Sequence, residues 1–207
     1  MRKAEGEKMR KQLSEMTLSE MTLEELWELF PIILTEHQAC WHDWYLEEAQ
    51  RIQAFLPIPE MKLYHIGSTS IEAIWAKPII DIMLEIPEQT SMEEVKVILT
   101  QNGYICMCEE PGRKSFNRGY TIDGFAERVF HLHLRYIGDN DELYFRDYMK
   151  EHADLAAQYE KMKLSLWKQY EHNRDGYTEE KGAFIRKYTS EAKREYGERY
   201  SENRGEK

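Results

Sequence analysis

"HIGSTSIEAIWAKPIIDIMLEI", residues 65–86, decides how this chain reads. A turn of Gly67-Ser68-Thr69-Ser70 follows a short apolar approach, Lys77 precedes Pro78, and a run of Ile, Met and Leu is interrupted by Asp81 and Glu85. An edge strand with one wet face accounts for the two acids. A phosphate-handling turn facing metal-binding carboxylates accounts for them equally, and it also gives the turn a purpose. Side chains alternate along a strand, so Ile80, Ile82, Leu84 and Ile86 share one face while Asp81, Met83 and Glu85 share the other. Same-face carboxylates are expected to converge on one hydrated Mg²⁺, or to hold one of two ions each, as phosphoryl and nucleotidyl transfer require. Gly67 lets backbone approach a ligand closely, and the amides and hydroxyls of Ser68, Thr69 and Ser70 make a neutral phosphate cradle. Lys77, held extended by Pro78, offers a cation to the same phosphates. His65 either caps the turn or touches ligand. The turn is not a Walker A loop, since Gly-x₄-Gly-Lys-Ser/Thr is absent.

Around this stretch the pattern is α/β. Upstream, Thr22 and Glu25 have capping-box spacing for a helix over 22–29 that Pro31 ends, and the doubled "LSEMT" before it reads as a local duplication. "FPIILTEH" reads as a short strand or extended segment, and residues 37–56 as an amphipathic helix closed by Pro57 and Pro59. "KLYHI" is a strand that runs into the glycine turn, and "IEAIWA" a short helical turn behind it. Ser91 is a candidate N-cap for a helix over 91–102, with Gly103 after its end. "YICMCEE", a hairpin arm over 113–120 and "RVFHLHLRYI" supply further strands. Residues 140–192 read as helical, with Gly176 dividing two helices. The predicted organisation is a frayed extension over 1–21, a single domain over 22–192 and a frayed tail over 193–207.

In "HLHLR", His131, His133 and Arg135 share a face. A His-x-His pair can bind metal, but two imidazoles are too few for a closed zinc site, so one His is expected to bond a carboxylate or phosphate. A net charge of −10 argues against holding duplex nucleic acid on a broad basic surface, while leaving room for a local basic pocket that takes a nucleotide. Cys40, Cys106 and Cys108 make no disulfide framework, and the last two are expected to be small buried hydrophobes. The opening "MRKAEGEKMRKQ" has no apolar segment behind it, and no run approaches the length of a membrane span. The expected compartment is the cytoplasm.

"HIGSTS…AKPIIDI", "HLHL", "FRDYM…HADLAAQYEKMK" and "YTEEKGAFI", in this order over residues 23–188, resemble the GrpB family. The resemblance implies an α/β (α+β), nucleotidyltransferase-like mixed sheet flanked by N- and C-terminal helices. It implies a Mg²⁺-dependent nucleotidyltransferase that moves a nucleotidyl or phosphoryl group from a nucleoside triphosphate to a small acceptor. The alternatives are a catalytically inactive module that binds a nucleotide or phosphometabolite, and a protein-interaction module. The superfamily signature is a hydrophobic-Gly-Gly/Ser turn followed, about ten residues on, by Asp-hydrophobic-Asp/Glu. Ile66-Gly67-Ser68 and Asp81 match it, whereas Met83 occupies the position of the second acid. On this resemblance Asp81 and Glu85 hold metal, Glu85 standing in for the missing acid, and His133 assists where a third acid is replaced by His131 or His133. Lys181 in "EEKGAF" matches a lysine the family tends to carry and is expected to join Lys77 on the phosphates.

Overall fold

The computed structural model describes residues 20–200. The extension expected over 1–21 lies outside these residues except for its last two, and the expected tail lies outside them from 201 onward.

Thr22 caps α1 (Leu23–Leu29) through the reciprocal bonds the spacing predicts: its hydroxyl accepts the Glu25 amide at 3.2 Å, and Glu25 accepts the Thr22 amide at 2.8 Å. The following extended segment makes one β-bridge, Thr35 to Ala76, rather than a strand. Then come α2 (Cys40–Phe55), β1 (Lys62–Ile66), a single 3₁₀ turn (Ser68–Ser70), β2 (Ile79–Ile86) and α3 (Met92–Gln101), which Ser91 caps. β3 (Ile105–Glu110), β4 (Arg113–Thr121) and β5 (Gly124–Tyr136) follow, and the chain ends in α4 (Asp141–Glu151), α5 (Ala153–Tyr170) and α6 (Arg174–Tyr196).

The five strands form one mixed sheet in the order β1-β2-β5-β4-β3, antiparallel except where β2 runs parallel to β5. Alternation sorts its faces as expected. Ile80, Ile82, Leu84 and Ile86 join Phe130, Leu132 and Leu134 in a core against Trp41, Ile52 and Leu56 near α2 and Val95 and Leu99 of α3. Each such side chain taken fully out of water contributes roughly 1.5–3 kcal/mol, so this layer fixes the sheet. The opposite face carries Asp81, Met83 and Glu85 beside His131, His133 and Arg135, paired in register. α4 to α6 cover that face and pack on one another through an aromatic core including Tyr148, Tyr159 and Tyr188. Among the described residues no helix is long and apolar enough to cross a membrane.

Four expectations change. "IEAIWA" is not helical: Glu160 accepts the Trp75 amide at 2.7 Å and Lys163 donates to the Trp75 carbonyl, so α5 satisfies this backbone instead of a local helix. Gly176 does not divide two helices. It lies inside α6, where its amide bonds the Asn173 side chain that caps the helix, and the break falls just before. α6 continues to Tyr196 and the Tyr200 ring packs edge-on against Tyr144 at 4.9 Å, so residues 193–200 of the expected tail belong to the packed body. Cys106 and Cys108 are not buried together, because β3 is an edge strand with a bulge between them that leaves Cys108 exposed.

Glu85 is the substantive correction. Four residues along a strand is about 13 Å, so its carboxylate does not converge with that of Asp81. Met83, fully buried with Ile66 and Leu143, lies between them. Glu85 itself is 1% exposed and accepts the Gly138 amide at 3.0 Å and the Asn140 side-chain amide at 3.3 Å, so it is engaged in holding the β5–α4 connection. Replacing it leaves those donors buried without an acceptor, and Glu85→Ala is expected to cost about 2–4 kcal/mol in urea unfolding while leaving ligand affinity of the folded protein unchanged. Unaltered stability with lost ligand affinity would return Glu85 to the site.

Candidate functional site

The site is built where β1 ends. Ile66 pairs with Asp81 across the antiparallel ladder, which brings the next residue under the Asp81 side chain. Gly67 has φ 69° and ψ −172°, and a Cβ there would stand 2.2 Å from Asp81 Oδ2. Only glycine meets both demands. The chain then closes its 3₁₀ turn with Ser70 N–H to Gly67 O at 3.3 Å and Ile71 N–H to Ser68 O at 3.2 Å.

The hydroxyls of the turn divide. Ser70 Oγ donates to the Gly67 carbonyl at 2.7 Å and Thr69 Oγ1 donates to the Ile79 carbonyl at 3.3 Å. Since Thr69 has one proton to give, His65 Nε2, 3.0 Å away, is the donor to Thr69 Oγ1. The His65 ring is buried and stacks on Tyr45 at 5.0 Å, and burial above all pushes its pKa down to about 4 against the pull of Asp81, in keeping with a neutral ring. His65 therefore caps the turn and does not line the Asp81 cavities. Of the expected cradle, Gly67 and Ser68 line the larger of these cavities, Ser68 and Thr69 the smaller, and Ser70 neither.

Asp81 is held from one side by imidazoles, His131 Nδ1 at 3.3 Å and His133 Nε2 at 3.4 Å from Oδ1. Tyr120 Oη stands 2.8 Å from His131 Nε2 and accepts from Arg174 Nη2 at 3.0 Å. A guanidinium only donates, so the tyrosine proton goes to Nε2, which assigns the His131 proton to Nδ1, facing Asp81. Burial lowers the His131 pKa, only partly offset by Asp81, as this neutral tautomer requires. Burial alone would raise the Asp81 pKa, but hydrogen bonds from His131 and His133 outweigh it and hold the carboxyl well below the usual range.

Cations gather on the far side. Lys77, Lys163, Lys181 and Arg174 line a cavity of about 250 Å³ together with Ser68 and Asp81. Lys77 Nζ and Lys181 Nζ lie 5.4 and 5.3 Å from the Tyr177 ring, and Lys163 Nζ 4.8 Å from the Tyr159 ring. Burial first, and then repulsion from neighbouring cations, lowers the pKa of Lys77 and of Lys163, the latter to about 7, and burial lowers that of Lys181 against the pull of Asp81. Ser68, Asp81, His133 and Lys181 also line a wider cleft of about 540 Å³, to which Phe145 and Ile185 add apolar surface and Arg186 a further cation. A third cavity of about 660 Å³ lies behind the turn, beside His37, His42 and His65; its Arg146 is engaged with the His65 carbonyl and Asp147.

Of the residues singled out in the sequence, the structure brings Gly67, Ser68, Lys77, Asp81, His133 and Lys181 together around these two cavities, and it adds Lys163, Arg174 and Tyr120, which the sequence did not single out. Lys163 closes the quoted "EKMK" and is 2% exposed, a burial unusual for lysine that only the fold reveals.

Magnesium favours several oxygen ligands in near-octahedral array. Here the neighbours of Asp81 are two imidazoles, Met83 occupies the second acidic position and Glu85 is engaged elsewhere. Among the described residues, no group of three or more His, Cys, Asp or Glu is arranged to hold a metal ion. The residues do not fit a strand-bound magnesium centre.

The family model described as GrpB protein matches residues 31–191. The UPF0157 protein PA4798 of Pseudomonas aeruginosa is 32% identical over 70% of this chain and 61% of its own length, and the UPF0157 protein YqkA of Bacillus subtilis 30% identical over 74% of this chain and 45% of its own. The chain thus spans about half to three fifths of the length of these relatives. The crystal structure of the conserved protein GrpB from Enterococcus faecalis matches with a TM-score of 0.68 at 31% identity, over 79% of this chain and 99% of that one. The structure of the GLD-2/RNP-8 complex matches with a TM-score of 0.53 at 9% identity, over 88% of this chain and 73% of that one, a likeness of fold alone. The chain belongs to the GrpB family.

Proposed function

We propose that this protein binds a nucleotide or another phosphorylated small molecule in the Asp81 cleft, as a binding module and not a transferase. The observation that carries this reading is the convergence of Lys77, Lys163, Lys181 and Arg174 on one small cavity beside Ser68, with Asp81 as its one acid. A polyphosphate suits that charge, and the wider cleft beyond Asp81, with Phe145 and Ile185, suits the remainder of the molecule. The cations line a small cavity while the chain as a whole carries a net charge of −10, which favours a small ligand over duplex nucleic acid. The transferase reading keeps one support, Asp81 at the first acidic position of the family's turn-and-strand motif. It lacks the second acid that aligns metal and leaving group.

Titration calorimetry with ATP, GTP, CTP and UTP tests the proposal. At least one is expected to bind with a dissociation constant of about 1–100 μM, with no pyrophosphate release in the presence of a small-molecule acceptor pool. Pyrophosphate release would restore the transferase, and absence of binding to all four would overturn the nucleotide reading. Gly67→Ala would drive a methyl into the Asp81 carboxylate at a positive φ and is expected to weaken binding about tenfold or more, with a stability loss of about 1–3 kcal/mol.

The pH dependence has a definite sign. Lys163 faces Lys77 ahead of β2, Lys181 and Arg174 on α6, Asp81 on β2 and Glu160 one turn back on its own helix. A bound polyanion favours its charged form, so the bound-state pKa lies above the free value of about 7 and binding takes up protons. Affinity is full below that pH and falls as pH rises above it, by up to about tenfold per unit for each proton taken up. Calorimetry at about pH 6, 7.5 and 9 checks this, and affinity that rises with pH contradicts it.

A further inference from the structure

We propose, resting on the reading of the cleft as a phosphate site, that the ligand's phosphates are neutralised by the protein's own cations and not by a divalent metal held on β2. Lys77, Lys163, Lys181 and Arg174 form a metal-independent hole for a di- or triphosphate.

Lys163 is buried and Lys77, Lys181 and Arg174 half-buried, and their partners set these four apart from comparable basic residues. Elsewhere the buried Lys114 pairs with Glu93 and Glu109 at 2.6 Å each, the buried Arg135 with Glu142 at 3.3 Å, and the half-buried Arg118 with Glu48 at 2.7 Å. In the hole, Lys77 and Lys181 lie over the Tyr177 ring, Lys163 donates to the Trp75 carbonyl, and Arg174 donates to the Tyr120 hydroxyl. Each of these partners is neutral, and none of the four cations forms an ion pair among the described residues. Gathering four cations into one cavity with Asp81 as its only acid is costly. Three elements nevertheless direct cations at one point, and an anionic ligand is what removes the cost. Asp81, the cavity's single acid, is already engaged by His131 and His133. It therefore works against an incoming anion instead of recruiting one through metal.

The role of Asp81 gives a test in which the two accounts predict opposite signs. Inorganic triphosphate is titrated into the full chain in EDTA and, separately, in Mg²⁺, by calorimetry. Binding in EDTA is expected to be at least as tight as in Mg²⁺. Lys181→Gln, a partly exposed position on α6, is expected to weaken it about tenfold, and Lys163→Gln provides a second variant, each checked for folding by circular dichroism. Asp81→Asn is expected to tighten binding in EDTA, since it removes the nearest negative charge. Binding that needs Mg²⁺ and disappears in Asp81→Asn would overturn the metal-free hole while leaving the phosphate site in place. No binding in either buffer would overturn the hole and the phosphate reading with it.

Discussion

A carboxylate oxygen of Asp81 occupies the space a side chain on residue 67 would need, and the rest of the site follows from that contact. The antiparallel register sets it by pairing Ile66 with Asp81, so the residue leaving β1 must pass beneath the acid with a positive φ. The turn that starts there is closed from behind by Ser70, Thr69 and a neutral His65, so its shape persists without ligand. Asp81 is in turn held by two imidazoles from the parallel neighbour β5, one of them oriented by Tyr120 and Arg174. The acid is fixed in place and in charge before anything binds.

Around Asp81 the sheet face presents two imidazoles and a buried methionine, Glu85 is engaged farther along β2, and the cations stand on the helices and ahead of β2. α5 and α6 bring Lys163, Lys181 and Arg174 to the opening of the glycine turn, and Pro78 holds Lys77 extended beside them. Lys163 serves the fold as well: with Glu160 it fastens the Trp75 backbone, so the helix that supplies the cation also shapes the loop ahead of β2.

Much of this was legible in the residues. Period-two alternation assigned both faces of β2 and β5 correctly, because a strand buried on one side has no freedom to slip its register. Gly67, Asp81, His133, Lys77 and Lys181, which meet around the two cavities, stand out in the sequence because a turn, a broken apolar run and a shared motif mark them locally. Glu85 was misplaced because sharing a face with Asp81 does not bring it near, and the four residues of strand between them already span about 13 Å. "IEAIWA" misled because contacts distant in sequence, from Glu160 and Lys163, override local propensity, and Gly176 because the Asn173 side chain three residues earlier takes its amide into the first turn of the helix. Lys163 and Arg174 were invisible because a basic residue on an amphipathic helix is ordinarily solvated, and only the docking of α5 and α6 on the sheet turns them inward.

The central claim is that anion charge in this cleft meets lysine and arginine and not metal. Anomalous diffraction from crystals grown with a non-hydrolysable nucleoside triphosphate and Mn²⁺ tests it most directly. The account predicts phosphates within hydrogen-bond reach of Lys77, Lys163, Lys181 and Arg174, and no manganese peak on Asp81. A manganese peak bridging Asp81 and the phosphates would contradict it.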